Sequence, residues 1–339
     1  MINEYPRTSF WKLKTRCLEF VRPVVMGILN VTPDSFSDGG RFFVSGKPEG
    51  KTEDALLNPD GSELPGTNTD PDAGTDNNGI NYEAAIQQGL RMVEQGAGII
   101  DVGGESTRPG AVPVSVEEEL RRVVPVVRRL AALTDVPVSV DTCHARVAWE
   151  SVRAGAEIIN DITACEGDSD MPDVVRETGA AVCLMHMQGT PRDMQNNPTY
   201  HCVTEEVFQY LQNRRERLIA SGTDPEKIAV DPGIGFGKNF EHNRELLVNV
   251  EKFHELGAPI LIGHSRKTFL KQFWQRQSSP ATGEDVPVLP TLPELDYLTA
   301  FVSAELVRHG VQVIRVHNVP ATRRFIDLQT LLSFNGVAN

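Results

Sequence analysis

Short apolar segments of this chain end repeatedly in polar or charged residues of types that a hydrophobic core excludes. Amides, carboxylates and an ammonium group in such places suit the edges of a flat heterocycle that carries hydrogen-bond donors and acceptors. An apolar ligand would leave several of these groups unpaired, at a cost of about 1–3 kcal/mol each. Any one of them could be a hydrogen-bonded strand end, but six together favour a binding site for a polar, planar substrate. They are Asn30, Asp101, Asp141, Asn160, Asp231 and Lys267.

A second group of residues is suited to an anion. Arg315 and His317 alternate on the last apolar segment and therefore point the same way. A loop rich in Gly, Pro, Ser and Thr contributes Arg108. Two guanidinium groups and an imidazole beside hydroxyl-rich loops indicate a phosphate or diphosphate pocket. Asn30 and Asp34 supply hard oxygen ligands, which suit a Mg²⁺ ion that bridges phosphate oxygens.

Two turn motifs extend the predicted site. In GHSRKTFL a strand gives way to a helix, and free N–H groups near Lys267 and Thr268 would hold a carboxylate. In DPGIGFGK the glycines let the backbone approach a ligand, and the ring of Phe236 could shield the site. His186 is a secondary candidate, since a structural imidazole explains it as well. No Ser/His/Asp or Cys/His arrangement is recognisable, so covalent catalysis has no support.

The order of these segments predicts an α/β fold, a single (β/α)8 TIM barrel. In such barrels the catalytic groups lie at the carboxyl ends of the parallel strands. The apolar segments are VVMGILN ending at Asn30, GIIDVGG containing Asp101, PVSVD ending at Asp141, EIIND ending at Asp161, AAVCLMH ending at His186, IAVD ending at Asp231, PILIGHS ending at Ser265 and VIRVH ending at His317. Helices are predicted near residues 81–95, 116–133, 144–153, 171–178, 203–221, 241–256, 294–309 and 320–332, with a further one after Lys267.

One domain accounts for the chain. We interpret residues 1–22 as an N-terminal lead-in and residues 23–333 as the barrel, with loop insertions at 45–80 and 275–292. Without these parts the chain is close to the roughly 250 residues of a typical barrel. The first insertion is rich in Gly, Pro, Asn, Asp and Thr and cannot bury enough apolar area to order itself.

Charge and cysteine content exclude some classes of protein. The net charge of −13 argues against a nucleic-acid-binding surface, although segment 45–80 alone holds eight Asp or Glu and two Lys. An anionic substrate must therefore meet a local cluster of basic groups or a metal. The five cysteines are scattered and form no CxxC pair, which favours a reducing, cytoplasmic compartment. No run of 18 apolar residues is present, so we expect no membrane association.

At these residues the sequence resembles the dihydropteroate synthase family. The resemblance runs from about Val24 to Leu331 and covers GILNVTPDSFSDGG, IIDVGGESTRPGA, VSVDT, IINDIT, LMHMQGTPRDMQ, DPGIGFGK, GHSRK and IRVHNV, in the family's order. It implies a pterin-binding barrel that condenses 6-hydroxymethyl-7,8-dihydropterin diphosphate with p-aminobenzoate, giving 7,8-dihydropteroate and diphosphate in folate biosynthesis. It also implies Mg²⁺ assistance, inhibition by sulfonamides and a homodimer.

The resemblance assigns ligands to particular residues. The pterin is expected at Asp101, Asp141, Asn160, Asp231, Lys267 and Arg315. The diphosphate is expected at Asn30, Arg108, Arg315 and His317, with Mg²⁺ at Asn30 and Asp34. The p-aminobenzoate is expected at Phe36, Thr107, Pro109, Phe236, Lys267 and Thr268. Catalysis would depend on Lys267, Arg315, Asp141 and Asp231.

Two alternatives stay open at this point. A methyltetrahydrofolate:corrinoid methyltransferase shares the pterin-binding barrel, but it has no use for a diphosphate pocket, so TPDSF, STRPG and RVH argue against it. A catalytically silent pterin-binding homologue would keep the fold without the reaction, although every matched catalytic position is intact. Product formation by the purified protein discriminates between the two classes. The chain is either a free enzyme or one segment of a longer folate-pathway polypeptide.

Overall fold

Parallel strands alternate with helices along the chain, as the spacing of the apolar segments predicts. A computed structural model describes residues 8–32, 80–106, 113–278 and 289–333. A short antiparallel hairpin comes first, made of β1 (Phe10–Lys12) and β2 (Cys17–Glu19). The eight parallel strands are β3 (Val24–Asn30), β4 (Ile99–Gly103), β5 (Val138–Asp141), β6 (Ile158–Asp161), β7 (Ala181–Met185), β8 (Ile228–Asp231), β9 (Leu261–Ile262) and β10 (Val313–Val316).

The parallel sheet closes on itself. Its order is β8-β7-β6-β5-β4-β3-β10-β9. The last strand, β10, pairs with both the first parallel strand, β3, and with β9. A parallel bridge between Val230 of β8 and Ile260, just before β9, joins the two edges of the sheet. The predicted (β/α)8 barrel is therefore confirmed.

Helices surround the barrel and cover the outer faces of its strands. They are α1 (Tyr82–Glu94), α2 (Val116–Leu133), α3 (Ala145–Ala154), α4 (Met171–Thr178), α5 (Val203–Ala220), α6 (Phe240–Val248), α7 (Thr268–Ser278), α8 (Leu292–Arg308) and α9 (Val319–Ser333). The single helix predicted over 241–256 is wrong in one respect, because α6 ends at Val248 and a 3₁₀ helix, Val250–Leu256, follows. Asn249 between them donates from its side chain to the carbonyl of Glu245 at 3.0 Å, a local bond that ends the α-helix.

Local sequence explains how α2 begins. The hydroxyl of Ser115 accepts a hydrogen bond from the backbone N–H of Glu118 at 3.2 Å, as expected for an N-cap. The Glu118 carboxylate contacts Arg121 and Arg122, three and four residues further along the helix. Pro125 lies inside the helix and does not end it.

The strands are apolar on both faces because each side is covered. Residues that point outward pack against the helices in the largest core cluster, which includes Val25, Ile100 and Val140. Residues that point inward fill the barrel in a second cluster, which includes Met26, Ile99, Ile158, Ala181, Ala229, Leu261 and Val313. A parallel sheet buried on both sides requires such near-continuous apolar strands.

The hairpin closes the amino-terminal end of the barrel. Trp11 and Leu13 belong to the interior cluster, and their exposed fractions are 0% and 1%. The indole N–H of Trp11 donates to the carbonyl of Lys227 at 2.9 Å. Residues 8–22 thus form the floor of the barrel and leave the carboxyl end of the strands for ligands.

Parts of the predicted insertions lie outside the described residues, namely 45–79 and 279–288. The second insertion is bounded by α7 and α8. No described helix is long and apolar enough to span a membrane.

Candidate active site

Alternation along the strands aims a set of polar side chains into the mouth of the barrel. Inward-facing Ile99 is followed two residues later by Asp101, and inward-facing Val313 by Arg315. Successive inward positions on one strand are two residues apart, so the apolar interior gives way to polar groups at the strand ends. The same step leads to Asn160 on β6 and Asp231 on β8, while Asp141 ends β5.

Arg315 is the centre of this group. Its Nε donates to Oδ2 of Asp101 at 2.6 Å, and its Nη2 donates to Oδ2 of Asp141 at 2.5 Å. The side chains of Asp101 and Asp141 are 0% and 8% exposed, so these are buried, charge-assisted hydrogen bonds. Asn160 donates from Nδ2 to the same Asp101 oxygen at 3.1 Å. Burial opposes the charge on Arg315, but the two carboxylates outweigh it and raise the pKa of the guanidinium.

Glycines at two strand ends keep the mouth open. In the barrel register Gly103 pairs with Asn30 on one side and with Asp141 on the other. An ideal Cβ on Gly103 would lie 3.8 Å from Asn30 Oδ1 and 3.7 Å from Asp141 Oδ2, so these two oxygens flank one open position. Gly263, after β9, leaves similar room between Arg315 and Asp231.

Lys267 approaches the same hollow from the turn after β9. Its ammonium donates to the carbonyl of Ile234 and lies 4.2 Å from the centroid of the Phe236 ring. Burial lowers the pKa of Lys267 to about 7, although Asp231 opposes the shift. Burial raises the pKa of Asp141 to about 7 against the pull of Arg315. Perturbed groups in a cleft are typical of functional sites.

Close backbone packing positions the DPGIGFGK loop beside the loop after β7. Gly233 has φ +71°, and a Cβ there would lie 1.9 Å from the carbonyl oxygen of His186. The Gly233 N–H donates to Asp231 Oδ1 at 2.7 Å, and burial raises the pKa of this carboxyl. The glycine of this motif therefore sets the orientation of Asp231.

Sequence reasoning missed the part played by Lys238. This residue is 2% exposed, and its Nζ lies 2.9 Å from Nδ1 of His186 and donates to the carbonyls of His186 and Phe236 at 3.3 and 2.9 Å. Burial lowers the pKa of His186 to about 2, so the imidazole is a neutral partner of Lys238. Its position at the end of the motif DPGIGFGK was the one feature of the sequence that could have marked Lys238 as a candidate.

At the carboxyl end of β10, His317 contacts Ser265. Its backbone N–H donates to Ser265 Oγ at 3.2 Å, and its Nδ1 lies 3.0 Å from the same oxygen. Ser265 lies three residues before the start of α7 at Thr268. Asn30 ends β3 with intermediate exposure.

The described residues therefore bring together most of the expected site. Contacts join Asp101, Asp141, Asn160 and Arg315, and Asp231 lies near both Arg315 and Lys267. Asn30 flanks Gly103 opposite Asp141, and Phe236 lies against Lys267. His317 follows β10, and Thr268 begins α7 directly after Lys267. Five expected residues lie outside the described part of the chain: Asp34, Phe36, Thr107, Arg108 and Pro109.

Two sets of side chains have the chemistry of metal ligands. The oxygens of Asn30 and Asp141 that flank Gly103 are hard donors of the kind Mg²⁺ prefers. A second set, Glu105, Glu119 and His144, has ligand atoms within 4.8 Å of one another. His144 Nδ1 and Glu119 Oε2 already form a contact of 2.6 Å, which gives the buried Glu119 carboxylate a hydrogen-bond partner.

The chain is similar to known proteins in both sequence and fold. A family model described as "Pterin binding enzyme" matches residues 66–317. The dihydropteroate synthase of Escherichia coli K12 is 40% identical over 305 residues, which are 90% of each chain. The Yersinia pestis dihydropteroate synthase with a sulfonamide drug has a TM-score of 0.75 at 37% identity, covering 95% of this chain and 98% of that one. The Xanthomonas albilineans enzyme with 7,8-dihydropteroate has a TM-score of 0.72 at 33% identity, covering 96% and 100%.

Proposed function

This chain belongs to the dihydropteroate synthase family of pterin-binding enzymes, and on that premise we propose how its residues carry out the family's reaction. The reaction joins 6-hydroxymethyl-7,8-dihydropterin diphosphate to p-aminobenzoate and releases diphosphate. The observation that carries the proposal is the buried Asp101–Arg315–Asp141 group, which faces the same hollow as Asp231 and Lys267. A flat ring with donors and acceptors along its edges satisfies these groups.

The pterin is proposed to lie among the carboxylates with Arg315 across its face. Asp141, Asp231 and Asn160 offer oxygens to the ring N–H groups, and Lys267 offers a donor. Departure of diphosphate from the pterin methylene leaves positive charge spread over the dihydropterin ring. The buried carboxylates Asp141 and Asp231 compensate that charge at fixed positions, which is how preorganised electrostatics lowers a barrier.

The leaving diphosphate is proposed to bind at Asn30, Arg315 and His317, together with Arg108 outside the described residues. Departure of this group is the demanding step, since negative charge grows on its bridging oxygen. A guanidinium and an imidazole stabilise that charge without further reorganisation. Asn30 and Asp34 would hold Mg²⁺, since amide and carboxylate oxygens are ligands of the kind this ion prefers. When bound, Mg²⁺ supplies Lewis-acid stabilisation of the phosphate oxygens.

The p-aminobenzoate is proposed to lie against Phe236 with its carboxylate at Lys267 and the first turn of α7. The positive end of the helix dipole at the start of α7 and the nearby ammonium both attract an anion. Phe36, Thr107 and Pro109, outside the described residues, would complete this pocket. The arylamine is neutral at pH 7, so its nitrogen lone pair attacks the pterin methylene without a strong general base. Once the C–N bond has formed, the nitrogen loses one proton to the departing diphosphate or to water. Closure of the surrounding loops would exclude water that competes for the cation.

An assay of diphosphate release tests this function. Release should require p-aminobenzoate and Mg²⁺, and dihydropteroate should form in equal amount. A sulfonamide should compete with p-aminobenzoate, because it imitates the anionic arylamine. Release at the same rate without p-aminobenzoate would contradict the reaction, and purely noncompetitive inhibition would contradict the pocket.

We also propose that the protein is a homodimer that works in the cytoplasm. Adjoining helices α8 and α9 expose large apolar side chains, and such patches are typical of subunit interfaces. They include Tyr297, Phe301, Leu328, Leu331 and Leu332, which are 53–74% exposed. Sedimentation of the parent and of Phe301→Asp should give a dimer and a smaller species. The cytoplasm is proposed because Cys17, Cys143, Cys165, Cys183 and Cys202 are free thiols.

A further inference from the structure

Helix α8 carries a buried carboxylate that contacts two active-site turns at once. Asp296 is 7% exposed. Its Oδ1 accepts from Nε of Arg266 at 2.6 Å, and its Oδ2 accepts from Nη2 of Arg266 at 2.9 Å and from Nδ2 of Asn318 at 2.8 Å. Arg266 directly precedes Lys267, and Asn318 directly follows His317. One carboxylate therefore bridges the turn after β9 and the turn after β10.

The first of these turns is strained. Arg266 has φ +58°, in the left-handed region that side-chain-bearing residues rarely adopt. Such a conformation persists only where the surroundings enforce it. Helix α8 does so twice, since Asp296 holds the guanidinium through a planar two-bond fork and Thr299 Oγ1 accepts from the Arg266 N–H at 3.2 Å. The consequence is the direction of Lys267, whose ammonium lies over Phe236.

The second turn depends on the same carboxylate through Asn318. The side-chain amide of Asn318 donates to Asp296, and its Oδ1 accepts from the backbone N–H of Ala321 at 3.1 Å in the first turn of α9. Both ends of the amide are thus occupied, so its backbone is held in place. His317 precedes it and contacts Ser265, which itself precedes Arg266. The two turns are linked directly to each other and again through Asp296.

We propose that Asp296 is a positioning residue that sets Lys267 and His317 relative to each other. It lies behind both turns, on the side of α8, and it acts through Arg266 and Asn318. This inference rests on the proposed function, in which the Lys267 turn receives p-aminobenzoate and His317 receives the diphosphate. A single buried carboxylate would then fix the position of the p-aminobenzoate pocket relative to that of the diphosphate pocket.

Substitutions separate the effect of the Asp296–Arg266 contact from that of the Asp296–Asn318 contact. Asp296→Ala should lower kcat/KM by about 10²-fold, since small misplacements of catalytic groups cost that much, and it should raise the KM of both substrates. Asn318→Ala should raise the KM of the dihydropterin diphosphate more than that of p-aminobenzoate. Asp296→Asn keeps the volume and one acceptor, so it should fall between Asp296→Ala and the parent. Glu305→Ala removes an exposed acid from the same helix and should leave both KM values within about twofold.

A glycine rescue tests the role of strain. Glycine adopts positive φ without penalty, whereas alanine does not. Arg266→Gly should therefore retain more activity than Arg266→Ala, although both lack the salt bridge. In an Asp296→Ala background, adding Arg266→Gly should restore part of the p-aminobenzoate KM. Equal activity of the glycine and alanine variants would overturn the strain argument, because loss of charge alone predicts no difference.

Hydrogen exchange measured by mass spectrometry decides the matter independently of turnover. Asp296→Ala should speed exchange in peptides covering 264–270 and 317–322, and Glu305→Ala should speed neither. Unchanged exchange in both peptides, or parent-like KM values for Asp296→Ala, would refute the proposal. If the parent protein made no dihydropteroate, the proposed function would fail, while the exchange comparison would still decide whether Asp296 holds the two turns.

Discussion

Removal of the Arg315 guanidinium is the sharpest test of the electrostatics at the barrel mouth. Arg315→Met keeps the length of the side chain but leaves Asp101 and Asp141 without their cation. Breaking a buried ion pair by deleting one partner costs about 3–5 kcal/mol, because the remaining charge stays desolvated. At about 2 °C per kcal/mol for a large domain, the melting temperature should fall by about 6–10 °C. Turnover should fall by about 10²–10³-fold, the usual loss for one preorganised donor.

A double variant separates the structural cost from the catalytic one. Asp101→Asn removes one of the two stranded charges and still offers an acceptor to Asn160. Added to Arg315→Met, it should restore about 1–3 kcal/mol of stability through the coupling expected for contacting residues. It should restore no turnover, since the donor facing the diphosphate is still missing.

The assays are thermal unfolding and steady-state kinetics on the same preparations. Arg244→Met is the matched control, because its pair with Glu241 is exposed on both sides and such pairs contribute less than about 1 kcal/mol. Two results would refute the reasoning: an Arg315→Met melting temperature equal to that of the control, or recovery of turnover in the double variant.

Three further outcomes follow from the same structure. Because burial lowers the pKa of Lys267 to about 7, the ammonium is lost as pH rises, so kcat/KM for p-aminobenzoate should fall above that pH. In the Lys267→Arg variant the fall of kcat/KM at high pH should disappear, because arginine stays charged, while the fall at low pH, set by Asp141, should remain. An unchanged fall at high pH would show that Lys267 does not bind p-aminobenzoate. Gly233→Ala should destabilise far more than Gly257→Ala in denaturant titrations, since both have positive φ but a Cβ meets a backbone oxygen at 1.9 Å only at the former; equal losses would contradict this. Trp11→Ala should lower the free energy of unfolding by about 3–5 kcal/mol and leave KM unchanged. An altered KM would contradict the expectation that the amino-terminal end of the barrel has no effect on substrate binding.

Local pattern predicted where the strands lie and, for several of them, the residue that ends them. The segment VVMGILN coincides with β3, and the residues predicted to end β5, β6 and β8 do so. The predicted ends at His186, Ser265 and His317 are wrong, because β7, β9 and β10 end earlier, at Met185, Ile262 and Val316. A strand buried on both faces must be largely apolar, so a carboxylate or amide at the end of the apolar segment marks the rim of the barrel. The break at Asn249 was not predicted, because a side-chain bond to the preceding turn interrupts an otherwise continuous helical pattern.

Sequence alone determined that a parallel barrel would present amides, carboxylates and basic groups at one rim, since alternation and strand ends are local properties. Tertiary structure decided which of them touch. Arg315 meets Asp101 and Asp141 across 214 and 174 residues, because closure of the sheet brings β10 beside β3 and within reach of β4 and β5. The buried amine of Lys238 and the carboxylate of Asp296 gained their partners in the same way. Contacts between distant segments depend on how the barrel closes, and no local pattern encodes that geometry.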